Sequence, residues 1–234
     1  MQLTTDHLAS IAGKTANSNM RSTLLGLQKA GVGTGLNQPH RLAHYLGQLA
    51  HESGGWRYDR EIWGPTAAQK RYEGRTDLGN TEPGDGSLFR GRGPIQITGR
   101  ANYRSYTAWA RRLDPNAPDF EADPDAVNTD PWEGLGPIWY WAEGNPTRAS
   151  LNALADANDI ETLTRRINGG VNGLADRQAK YLRAALVLAG FGPTDVRRFQ
   201  SSAGLVADNI AGPKTKAALH THLKASPFIT FSEQ

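Results

Sequence analysis

Glu52 is the residue with the most chemical promise in the sequence. Leu42, Tyr45, Leu49 and Glu52 recur at helical spacing, so a carboxylate continues an apolar stripe. Desolvation there favours the protonated acid, the form a general acid needs at neutral pH. A position in the last helical turn, before Gly54-Gly55, also sets it where the helix dipole disfavours negative charge. The plainer alternative is a rim carboxylate paired with Arg57 or His51. Cleavage of a glycosidic bond takes a second carboxylate, about 6.5–9.5 Å away where the reaction inverts the anomeric carbon. Glu61, within Trp56-Arg57-Tyr58-Asp59-Arg60-Glu61-Ile62-Trp63, and Glu73, within Arg71-Tyr72-Glu73-Gly74-Arg75, are the candidates, each flanked by arginines that could equally be ion-pair partners. Trp56 and Trp63 stand near these carboxylates, where an indole face either stacks on a sugar ring or fills the core.

Helices must position these groups. Pro39 opens one whose apolar face, Leu42, Tyr45, Leu46 and Leu49, stops at Gly54-Gly55. A second runs from about Ala101 to Leu113 on Tyr103, Tyr106, Trp109 and Ala110, and Pro115 ends it. A third is expected to start at Asp130-Pro131 and to carry Leu135, Ile138, Trp139 and Trp141, with one of the two tryptophans exposed. Ile160, Leu163, Thr164 and Ile167 define a fourth that ends at Asn168-Gly169-Gly170, and Tyr181, Leu182, Ala185, Leu186 and Ala189 a fifth. Thr76 to Gly93, rich in glycine, reads as a long functional loop. Ile95-Gln96-Ile97 alternates and is the one expected strand. The pattern breaks near residue 191, giving a catalytic unit over 1–190 and a small unit over 191–234.

Composition removes several classes. Without cysteine there is no disulfide framework, thiolate nucleophile or thiolate-bound zinc. His51-Glu52 begins like a zinc-protease helix, but Gly55 stands where the second histidine ligand belongs, so no metal and no cofactor is expected. The 26 basic against 23 acidic residues argue for neither nucleic acid nor membrane insertion. Between Arg177 and Lys224, however, eight basic residues face two acidic ones, a stretch suited to an anionic polymer or simply to solvent. The longest apolar run near position 190 is far short of a membrane span, and the first residues lack a basic then apolar leader. Accumulation in the cytoplasm is the expectation.

Three ordered motifs then carry a resemblance: His51-Glu52-Ser53-Gly54-Gly55; Gly91-Arg92-Gly93-Pro94-Ile95-Gln96-Ile97-Thr98 with Asn102-Tyr103; and Ile167-Asn168-Gly169-Gly170. Together they resemble glycoside hydrolase family 19, the fold of chitinases and phage endolysins, over most of the chain. The resemblance implies a mainly α, lysozyme-like, two-lobed domain (α+β lysozyme superfamily) with a small helical C-terminal appendage. It implies inversion, with Glu52 as general acid and Glu61, nine residues on, preferred to Glu73 as the second carboxylate. It implies that Thr98 holds the attacking water and that Gln96, Asn102 and Asn168 bind sugar, as amides and hydroxyls can. Trp56, Tyr72 and Arg177 are expected as further substrate contacts. Where plant-type chitinases carry an acid two residues past the Gly-Gly of the third motif, this chain has Asn172, which points to the phage-like branch.

Val196-Arg197-Arg198-Phe199-Gln200, Gly204-Leu205, Asp208, Gly212-Pro213-Lys214-Thr215 and Ala218-Leu219 look like half of a peptidoglycan-binding domain. The expectation is therefore a monomeric endolysin acting on peptidoglycan glycan strands, of muramidase type, released to the wall through a holin-type pore. A chitinase and a non-catalytic wall-binding or phage-tail component are the alternatives.

Overall fold

The computed structural model describes residues 1–231. Its first elements are strand β1 (Gln2–Leu3) and helices α1 (Thr5–Ala12), α2 (Ser18–Gly26), which continues into a π turn, and α3 (Pro39–Glu52). Short helices α4 (Ala67–Lys70) and α5 (Asp85–Leu88) follow, then α6 (Arg100–Leu113) and α7 (Trp132–Trp139), which runs into a second π turn at Tyr140–Gly144. The chain ends with α8 (Asn152–Asp156), α9 (Ile160–Asn168), α10 (Leu174–Leu188), α11 (Val196–Ser202), α12 (Pro213–Ala225) and strand β2 (Thr230–Phe231).

The long helices follow the sequence periods. Leu42, Tyr45, Leu46 and Leu49 of α3 are all buried, as are Tyr103, Tyr106, Trp109 and Ala110 of α6. The core is one continuous cluster around α3, α7 and α10. Helix α10 packs along α3, and Gly47 of α3 makes the close approach possible, because a Cβ there would sit 2.8 Å from the Tyr181 backbone. Helices α2 and α7 meet the same way through Gly26 and Gly134. Tyr106 stacks on Phe120 at 4.6 Å and donates its hydroxyl to the Trp132 carbonyl at 2.6 Å, fixing α6 against the start of α7.

Four expectations change. Helix α7 begins at Trp132, with Pro131 in the cap position after a cis Asp130–Pro131 bond. Both Trp139 and Trp141 are buried, because the π turn rotates Trp141 inward to donate its indole N–H to Asn152 at 2.8 Å. Ile95-Gln96-Ile97 is not a strand. Only single bridges form there, Arg60 with Arg92 and Arg92 with Ile97. The sheet of the described residues is instead a parallel pair, β1 with β2. The loop over 76–93 is also interrupted by a 3-10 turn at Thr76–Leu78 and by α5.

The C-terminal segment is docked on the body. His220 of α12 makes edge contacts with His40 (5.4 Å) and His44 (6.0 Å) of α3. Asp156 ties the joint together: His40 and Arg41 bond its carboxylate, and His220 bonds its carbonyl. Of the basic residues counted from Arg177 to Lys224, two point inward. Arg183 caps the end of α1 through the Ser10 and Ile11 carbonyls, and Arg177 is buried.

Candidate active site

Glu52 is the last residue of α3. The helix stops there because Ser53 turns its hydroxyl back to the Leu49 carbonyl at 2.7 Å and takes the Trp56 N–H at 2.8 Å. Gly54, Gly55 and Trp56 then follow with positive φ. The turn is held from the other side. Lys14 donates to the Gly54 carbonyl at 2.5 Å, and the amides of Asn17 and Asn19 both donate to the Trp56 carbonyl at 3.0 Å.

The surround of Glu52 is not the apolar one its stripe suggests. Arg177 reaches from α10, fully buried, and donates to Glu52 Oε1 at 2.5 Å, to Gln48 Oε1 at 2.5 Å and to the Asn172 carbonyl at 3.3 Å. Neither Arg57 nor His51 is the partner. His51 instead bonds Asp176 at 2.7 Å, and its ring occupies the space a Cβ on Gly173 would need. Glu52 keeps 22% of its side chain exposed, so it remains reachable. Arg177, with no exposed surface, is placed to hold Glu52 and not to touch a sugar. Tyr140 closes this half, donating to the Ile167 carbonyl at 3.2 Å. Burial, and next the Glu52 charge, push its phenol up to about 12. Asn168, one residue on, is exposed at the end of α9.

The second half of the site is built on Gly91. The Glu61 N–H donates to the Gly91 carbonyl at 2.8 Å, and the Gly91 N–H returns to Glu61 Oε2 at 3.1 Å. Glu61 Oε1 accepts from Gln69 at 3.0 Å and lies 3.5 Å from the Tyr72 hydroxyl. Desolvation, followed by the Glu61 charge, raises the Tyr72 phenol. Gln96, at φ 56°, folds its amide back so that Nε2 donates to the Gly93 carbonyl at 3.0 Å. Its Oε1 then lies where a Cβ on Gly91 would come within 2.5 Å, so a side chain at 91 would displace it. The Thr98 hydroxyl donates to the Gln96 carbonyl and Asn102 to the Thr98 carbonyl, both at 2.8 Å. With its proton spent, the Thr98 oxygen is free to accept from a water molecule.

Glu61, Tyr72, Gln96, Thr98 and Asn102 are thus brought together around one turn, and Glu52, Arg177 and Asn168 around the α3–α9–α10 junction. Glu73 belongs to neither. Its two oxygens take the backbone N–H groups of Gly84 (2.6 Å) and Gly86 (2.9 Å), which commits it to holding the α5 loop. Trp56 has no exposed surface and donates its indole N–H to Thr23 at 2.9 Å, so it offers no face to a sugar. The half-buried Trp63, 6.3 Å from the Tyr72 ring, is the tryptophan left near the second carboxylate. Two contributors went unread in the sequence. Gln69 carried a signal in the capping box Thr66-x-x-Gln69, and Gln48 carried one as a polar residue four before Glu52 on an apolar helix.

No family model matches the sequence. A Haemophilus influenzae glycosyl hydrolase family 19 domain-containing protein is 32% identical over 188 residues, 69% of this chain and 84% of that protein. Solved chitinase structures share the fold. Chitinase C of Streptomyces griseus superposes with a TM-score of 0.62 at 18% identity, over 81% of this chain and 77% of that one. A bacterial family 19 chitinase gives 0.61 at 20% identity, over 81% and 96%. A class IV chitinase of Zea mays gives 0.56 at 19%, over 82% and 94%. With a relative of that identity over most of both chains, and a mainly helical, lysozyme-like fold, this chain belongs to glycoside hydrolase family 19 and is a chitinase-like glycoside hydrolase.

Proposed function

We propose that this hydrolase cleaves the β-1,4 bonds of peptidoglycan glycan strands, as a muramidase-type endolysin acting in phage-driven host lysis. Glu52 gives its proton to the leaving glycosidic oxygen while a water attacks the anomeric carbon from the opposite face and passes a proton to Glu61. The Arg177 guanidinium stands beside the charge left on Glu52. Thr98 accepts a hydrogen bond from the attacking water, and Gln96, Asn102 and Asn168 bind sugar hydroxyls and acetamido groups. Bond breaking at one oxygen and bond making from the other face invert the anomeric configuration.

The observation that carries this assignment is the contrast between the carboxylates. Glu61 sits in a cradle of Gly91, Gln69 and Tyr72 next to Gln96, whereas both oxygens of Glu73 are consumed by backbone. The choice of peptidoglycan is supported by the C-terminal helix pair. There Gln200 bonds Asp208 at 2.8 Å and Thr215 at 3.0 Å, and fixes a loop that exposes Val206 and Ile210, between two helices that carry Arg197 and Arg198 and Lys214 and Lys216. Such a basic and apolar surface suits an anionic wall polymer. Chitin is the second reading, favoured by the likeness to solved chitinases.

Digestion of purified Gram-negative sacculi, followed by borohydride reduction and mass spectrometry, decides among these. New N-acetylmuramic acid ends support the proposal. New N-acetylglucosamine ends keep a glycosidase but move the bond. Cleavage of chitin oligomers with intact sacculi makes it a chitinase. Binding to sacculi without new ends refutes catalysis.

A further inference from the structure

Beneath the place where residues 59–61 cross residues 91–93 lies a carboxyl group that the reaction does not use. Glu133, in the first turn of α7, is 5% exposed, and its Oε1 is buried with no hydrogen-bond partner. An ionised carboxylate is costly in such a place, and the neutral acid far less so. The charged groups facing it are Asp59 and Arg60 from the crossing segment and Asp130 from the turn before its own helix. Asp130 is engaged by Ser22 of α2 at 2.5 Å, Asp59 by Arg60 at 3.0 Å, and Asp125, across from Arg60, by Arg92 at 2.8 Å. Burial, then Asp59 and Asp130, push Glu133 up to about 7, against a smaller opposing pull from Arg60.

Two backbone bonds close the crossing, Glu61 N–H to the Gly91 carbonyl and Gly93 N–H to the Asp59 carbonyl, and the second lies at the residue whose charge faces Glu133. Asp59 O accepts the Gly93 N–H at 2.5 Å and the Asn128 amide at 2.7 Å, and Asn128 Oδ1 is buried and unpartnered as well. The Glu133 carbonyl lies 3.9 Å from where a Cβ of Gly93 would be. Two residues along one segment is Glu61, and three along the other is Gln96. A disturbance at Asp59–Gly93 therefore reaches both sides of the Gly91 cradle.

We propose that Glu133 is a positioning residue for the Glu61–Gln96 half of the site: as the neutral acid it lets Asp59–Arg60 and Arg92–Gly93 close on each other, and its ionisation sets a third carboxylate beside Asp59 and Asp130 and loosens the crossing. The hydrolase then loses activity on the alkaline side through a group that touches no substrate. The activity arm of the test rests on the proposed roles of Glu61 and Gln96, and the spectroscopic arm does not.

Carboxyl-detected carbon NMR on the full chain, without substrate, follows Glu133 together with the Gly91 and Gly93 amides from pH 5 to 9. The expected result is a Glu133 midpoint near neutrality shared by the Gly93 amide, with that step absent in Glu133→Gln. In the activity arm, Glu133→Gln raises the ratio of kcat/KM at pH 8.5 to that at pH 6 by at least about fivefold over wild type. A Glu133 midpoint in the ordinary carboxylate range overturns the proposal, as does a Gly93 step that persists in the variant or an unchanged ratio. If Glu133→Gln does not fold, the wild-type titration alone decides. If no glycan is cleaved, the function assignment fails while the NMR step still tests Glu133.

Discussion

Arg177 is the residue whose removal the structure prices most clearly. It is fully buried, and its guanidinium serves Glu52, Gln48 and the Asn172 carbonyl, joining α3 to the start of α10. Arg177→Met keeps the length and apolar stem of the side chain and deletes the donors. Gln48 and Glu52 are each left with an acceptor oxygen that has lost its guanidinium donor. Breaking a buried pair from one side costs about 3–5 kcal/mol. Because Glu52 is 22% exposed and can regain water, the lower end applies, about 3 kcal/mol. For a chain of this size that is a fall in Tm of about 6–12 °C, measurable by calorimetry or by circular dichroism. In a double-mutant cycle with Glu52→Gln, the loss shrinks by about 1–3 kcal/mol, since the two residues share one contact. A fall of less than about 2 °C in Arg177→Met, or strict additivity in the cycle, would refute the claim that Arg177 supports Glu52.

Two further outcomes follow from the packing and the histidine joint. Gly134→Ala would put a Cβ 1.7 Å from the Ser22 carbonyl oxygen, so α2 and α7 must separate; the urea midpoint should show a loss of about 3 kcal/mol, and a wild-type midpoint would contradict the close contact. Burial lowers His40 and His220, and takes His44 down to about 3, while hydrogen bonding from Arg41 holds Asp156 down to about 2. All four groups bind protons more weakly in the folded than in the unfolded chain. Their stabilisation is whole above pH about 6.5 and is lost as the pH falls, through the histidines first and Asp156 below about 4. Glu133, shifted upward, acts in the opposite sense between about 4.5 and 7. Thermal melts from pH 7.5 to 4 should therefore fall less steeply in His44→Asn than in wild type, and parallel curves would contradict the role of the joint.

The sequence exposes what periodicity and capping can encode. The stripes of α3 and α6, the glycine stop after Glu52 and the Asn168-Gly169 end of α9 were all legible, because each depends on residues within a few positions of one another. Arg177 was legible as a charge and not as a buried one, since its partners lie over a hundred positions away on α3. Trp56 read equally as core or platform, and only the Thr23 hydroxyl opposite its indole N–H decides for the core. The β1–β2 pair joins the two ends of the chain with strands too short to show alternation. Glu133 gave no signal, because its character comes from Asp59 and from the crossing above it. The contrast between Glu61 and Glu73 was beyond spacing arguments and rests on which backbone N–H groups each one meets.

The most direct test compares initial rates of wild type, Glu52→Gln, Glu61→Gln and Glu73→Gln on one glycan substrate, with circular dichroism to establish that each is folded. Loss of a general acid or base typically costs about 10²–10⁴ in rate. The account predicts losses of that size for Glu52→Gln and Glu61→Gln, with Glu73→Gln keeping most of its activity. A folded Glu52 or Glu61 variant that retains more than about a tenth of the wild-type rate, or a Glu73 variant that loses as much as they do, would contradict it.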